Sequence, residues 1–105
     1  SGTTPRMDGQ LVAGEWRVSR GFRSSTSTIA LHRVAGEHEL RSSAACFATP
    51  GGDASVLPWS RVSSWRSTDA KGQIEISYVS GVREHRLCLR AFSQHQFDDW
   101  RRWFV

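Results

Sequence analysis

The stretch from Gln73 to Val105 constrains the fold most, because its hydrophobic period changes once and abruptly. In QIEISYV, Ile74, Ile76 and Tyr78 fall on one face, with Glu75 and Ser77 on the other. After a turn at Ser80-Gly81, REHRLCLRA repeats the pattern: Leu87, Leu89 and Ala91 alternate with Arg86, Cys88 and Arg90. Period two over two adjoining runs predicts a half-buried antiparallel hairpin. Phe97, Trp100, Trp103 and Phe104 then recur at helical spacing, and Ser93 followed three residues later by Gln96 makes a capping-box start. A lone amphipathic helix behind a run of strands has only the sheet to bury its stripe against. Phe97, Trp100 and Phe104 are therefore expected to close one end of a sheet whose inner face includes Leu87 and Leu89.

The upstream segments supply the rest of that sheet. GQLVAGEWRVSR predicts a strand over 10–18 with Val12, Trp16 and Val18 on one face, and Gly14 inside it reads as a bend or bulge. A polar loop over 19–25 follows, then TSTIALHRV as a β-branched strand, a turn at Ala35-Gly36-Glu37, and HELRSSAACFA as a weakly patterned strand or pair of strands. ATPGGDAS, residues 48–55, reads as a loop on its Pro-Gly-Gly-Asp chemistry. SVLPWSRVSSWRS predicts either two short strands or one bent one, with Pro58 confined to an edge or bulge. Residues 67–72 form another polar connection. Six or seven short antiparallel strands and one C-terminal helix make a single mainly-β domain over 9–105, behind a polar lead-in over 1–8.

Five Trp and five Phe in 105 residues are enough for a small core without metal or disulfide staples. Cys46 and Cys88 are too few for a disulfide framework and read as reduced thiols; with no Asn there is no N-glycosylation acceptor. No apolar run approaches the ~20 residues of a membrane span, and no signal-peptide pattern opens the chain. A cytoplasmic location is expected, in association with cytoskeleton or membrane. An apolar helix running to Val105 suggests a piece of a longer protein. The net charge of +4 comes almost wholly from Arg, Lys71 being the only lysine. Arg grips carboxylate and phosphate with a planar, two-pronged donor set.

Enzyme chemistry has no anchor in this sequence. His32, His38, His85 and His95 lack metal-ligand spacing, the cysteines form no CxxC, and no GxSxG elbow surrounds a serine. Asp98-Asp99 suit the positive end of a helix. Neither catalytic residue, metal nor cofactor is expected. Nucleic acid is not an expected partner, because there is no basic recognition helix, RRM-type strand motif or zinc spacing.

HRLCLRAFSQHQFDDWRRWF, a last strand running through a polar cap into a helix that carries Trp100, resembles the end of a pleckstrin homology (PH) domain. VLPWSRVSSW is similar to that family's middle strands, and GQLVAGEWRVSRGF to its first strand and loop. The resemblance covers roughly residues 9–105. It implies a bent, seven-stranded antiparallel barrel or sandwich with the helix over one end, and a non-catalytic docking role towards proteins or phosphoinositides. For phosphoinositides it points to the first loop, where Arg17, Arg20 and Arg23 form a candidate anion cradle with Arg33 at the end of the second strand. Two departures stand out: no Lys lies in this region, and Thr-Ile-Ala replaces the expected basic-x-Arg pair.

For protein docking, Trp59, Arg61, Trp65, Arg66 and Trp103 are the residue types that most often anchor interfaces. The expectation is an interaction module that docks a larger intracellular protein onto a protein partner. The alternative is phosphoinositide-dependent membrane targeting, and self-association is a third route.

Overall fold

The computed structural model describes residues 9–68 and 72–103. Its backbone is a meander of antiparallel strands followed by one helix. β1 (Gly9–Arg20) and β2 (Arg23–Val34) pair along their full lengths, from Gly9 opposite Arg33 to Arg20 opposite Arg23. Only Gly21 and Phe22 turn the chain, so the polar loop expected over 19–25 is mostly strand. Gly21 has φ +63°, which a tight hairpin turn requires and a residue with a Cβ resists.

β3 (Glu37–Ser42) adds to β2 through a turn at Ala35-Gly36. The weakly patterned run after it divides, because β4 (Phe47–Thr49) and β5 (Gly52–Ala54) form a separate two-stranded ribbon. The expected loop over 48–55 is thus largely a hairpin, with Pro50-Gly51 at its tip. β6 (Val56–Pro58) returns to pair with β3, a three-residue 3-10 turn follows at Trp59–Arg61, and β7 (Val62–Thr68), β8 (Gln73–Ser80) and β9 (Arg83–Ala91) complete the main sheet.

The main sheet has seven strands in the order β6-β3-β2-β1-β9-β8-β7. β1 is the hinge of this arrangement. It pairs with β9 only from Trp16 to Ser19, which leaves its first half bound to β2 alone. The two edge strands, β6 and β7, follow each other in sequence across the 3-10 turn, yet no ladder joins them among the described residues. Hydrogen bonds therefore leave the expected barrel open along this seam. Pro58 sits on the edge strand β6, where its missing N–H removes no inner ladder bond.

α1 (Gln94–Arg101) covers the inner face. Ser93 Oγ accepts from the Gln96 N–H at 3.1 Å, the cap anticipated from sequence, and Gln96 Oε1 accepts from the Phe92 N–H at 3.0 Å. Gln96 Nε2 then reaches across to donate to the Glu15 carbonyl at 2.6 Å, tying the helix to β1. Phe97 and Trp100 are buried, and Trp100 meets Trp16 edge-to-face with ring centroids 5.1 Å apart. Leu87 and Leu89 are buried beneath them. Phe104 lies outside the described residues.

Gly14 is not a bulge. It pairs in register with Ile29, and the irregularity falls between Gln10 and Val12. A Cβ there would lie 2.8 Å from Gln96 Nε2 and 3.4 Å from Trp100 Nε1, so these two side chains occupy the space that glycine leaves.

Candidate functional site

The four candidate anion-binding arginines do not form one cradle, because strand geometry separates them. Arg17 follows Trp16, whose side chain is buried, and so projects from the outer face of β1, opposite Thr26 and Arg90. Arg33 sits opposite Gly9 and His38, at the far end of β2 from the Gly21-Phe22 turn. Its Nη2 lies 3.4 Å from His38 Nε2. Only Arg20 and Arg23, paired across the turn, share a mouth. That mouth is a hollow of about 490 Å³ whose lining includes Val18, Arg20, Phe22, Arg23, Cys46 and Asp53.

Arg20 is already engaged there. Its Nη1 and Nη2 grip the Asp53 carboxylate at 3.0 and 3.1 Å, and Nη1 also donates to the Cys46 carbonyl at 3.0 Å. This two-pronged bond holds the Asp53 carboxyl below its ordinary range and raises the Arg20 guanidinium. The β4–β5 ribbon thus places a carboxylate where an anionic ligand would need a free cation. Burial pushes the neighbouring Cys46 thiol up.

The candidate docking residues separate in the same way. Trp65 pairs with Ile76 and so shares the inner face, where it packs half-buried against the core. Arg66 points outward, opposite Glu75, with which it forms an ion pair. Trp59 packs half-buried against the core from the 3-10 turn. Trp103 stands beyond the last turn of α1, 43% exposed, with its N–H bonded to the Trp100 carbonyl at 2.9 Å. Arg61 is exposed and borders a cavity that the sequence reading did not identify.

That cavity, about 400 Å³, lies in the seam between β6 and the end of β8. Phe47, Leu57 and Tyr78, all buried, form its floor, with Val56, Pro58 and Val79 at its sides. The Tyr78 hydroxyl accepts from the Ala48 N–H at 2.8 Å, and burial pushes its phenol up. β7 begins opposite Tyr78, so Val79 and Ser80 run on past it with no ladder partner on that side. Ser80 is 5% exposed and its Oγ has no hydrogen-bond partner.

One sequence signal does point to this place. Val79 falls on the outward face of β8, in phase with Glu75 and Ser77, and is 41% exposed. An apolar residue in that phase, followed by the fully exposed Val82, marks the end of the hairpin as unlike the rest.

Searches against protein-family models, curated proteins and solved structures find no match. Among the described residues no three His, Cys, Asp or Glu side chains are grouped to hold a metal ion, and no helix is long and apolar enough to cross a membrane.

Proposed function

We propose that this chain is a PH-like, non-catalytic interaction module that docks a larger intracellular protein onto a protein partner. The seven-stranded antiparallel sheet with a C-terminal helix packed on its inner face supports the PH-like reading. One contrast carries the preference for protein over lipid. The arginine mouth is dispersed and partly neutralised by Asp53, whereas the apolar seam groove has Arg61 beside it and no acidic residue in its lining. Apolar hollows with a few polar groups suit side chains of a protein ligand better than an inositol phosphate headgroup.

Affinity capture on the purified chain, followed by rebinding of each captured protein in purified form, tests the docking role. At least one protein should rebind directly. In parallel, vesicles containing phosphoinositides should pellet the chain no more than phosphatidylcholine vesicles do. Salt-sensitive pelleting above that control, abolished by Arg23→Glu, would instead assign the chain to membrane targeting.

A further inference from the structure

The seam groove does not end at Ser80. A second hollow of about 480 Å³ shares Thr49, Pro50 and Ser80 with it and continues along Val82, Arg83 and His85. The two adjoin at Thr49, Pro50 and Ser80, where the Pro50 ring lies against Gly81, and together form an apolar trough with Arg61 lining one part and Arg83 the other. Both arginines are exposed, and among the described residues neither makes an ion pair or side-chain hydrogen bond. Among the described residues, no Asp or Glu lines either hollow. A trough with an exposed cation in each part and an apolar lining is complementary to a ligand with carboxylates flanking an apolar segment.

Main-chain chemistry gives the ligand its shape. β6 is an edge strand, and on the opposite bank Val79 and Ser80 have no ladder partner on the β7 side among the described residues. Strand edges without a ladder partner suit an extended segment, which meets main-chain groups at regular intervals, better than a compact molecule. Ser80, which lines both hollows, is 5% exposed and its Oγ, able both to donate and to accept, has no partner.

We infer that the trough binds an extended peptide with an apolar centre flanked by acidic residues. The inference rests on the docking role proposed above and specifies its ligand and its site.

Selection from a displayed random heptapeptide library on the purified chain tests it. The enriched peptides should carry Asp or Glu on both sides of an apolar pair. Arg61→Glu and Arg83→Glu should each weaken them about tenfold, the loss of one charge-assisted contact. Arg17→Glu, on the outer face, should leave binding unchanged. Ser80→Ala should weaken binding without lowering Tm, an effect that a purely structural role for Ser80 would not produce. Enriched peptides that are indifferent to Arg61→Glu and Arg83→Glu would overturn the site but leave the docking role standing. No enrichment at all would also overturn the site, and the docking role would then be decided by the direct rebinding of captured proteins.

Discussion

The helix end and the seam end of this small domain use similar residues for opposite purposes. Around α1, Trp16, Trp100 and Phe97 are buried, Ser93 caps the helix, and the Gln96 side chain bonds to both Phe92 and Glu15. Even the empty side-chain space at Gly14 is filled, by Gln96 and Trp100. At the seam, Val56, Val79 and Val82 remain exposed, two strand edges run unpaired, and Ser80 Oγ is unmet. Apolar content does not separate the two ends. What separates them is whether apolar side chains and strand edges are covered inside the chain, since each end holds one unmet buried polar atom, Trp16 Nε1 at the helix and Ser80 Oγ at the seam. Covered faces add stability, while uncovered ones leave interaction capacity for something else.

The largest test of this contrast is Trp100→Ala. Removing a fully buried indole from an edge-to-face pair should cost about 3–5 kcal/mol, enough to unfold most or all of a marginal 105-residue domain. Urea denaturation measures it directly. A loss below ~1 kcal/mol would mean that the helix end is no better consolidated than the seam.

Gly14→Ala sharpens the comparison by its sign. The backbone at Gly14 does not need positive φ, so only the crowding by Gln96 and Trp100 opposes a methyl group there. In the native chain the methyl displaces Gln96 from the Glu15 carbonyl, and stability should fall by about 1 kcal/mol. In a Gln96→Ala background that obstacle is gone. The same substitution should then be neutral or stabilising, because Ala restricts the unfolded chain by ~0.4–1 kcal/mol. A double-mutant cycle in urea reads the coupling, and purely additive effects would break the account of why this position is glycine.

Gly14 also marks where the sequence stops being legible. The β8–β9 hairpin and the start of α1 could be read because period-two alternation and a Ser-x-x-Gln cap are local patterns, complete within a few residues. A glycine inside a strand has two local explanations, a bulge or a close approach, and only the position of Gln96, eighty-two residues later, decides between them. Arg20 illustrates the same limit. Its basic neighbours suggested an anion site, but Asp53, thirty-three residues away, carries the carboxylate that engages it. The Pro-Gly-Gly-Asp chemistry marks a turn that the structure confines to Pro50-Gly51, and nothing local indicates that Gly52 and Asp53 pair as a strand and bring Asp53 to Arg20. Trp65 and Arg66 are docking candidates by residue type, but the strand turns one inward against Ile76 and the other outward against Glu75. Adjacency in a strand guarantees opposite faces.

The finest test compares two buried serines. Ser27, 2% exposed, shares a hydrogen bond with Ser43 Oγ at 3.1 Å and accepts from the Ala44 N–H at 3.3 Å. Ser80 is comparably buried but makes no such bond. Ser27→Ala strands its partners and should cost about 1 kcal/mol. Ser80→Ala removes a hydroxyl whose burial is uncompensated, so stability should hold or rise by up to ~1 kcal/mol. Chemical denaturation of the two variants side by side measures the difference. Equal losses at both positions would mean that Ser80 is as well satisfied as Ser27, and the seam would then be a second closed end rather than an open one. Opposite signs would mean that the Ser80 hydroxyl contributes nothing to folding, and the peptide trough is the use for it that the surrounding geometry supports.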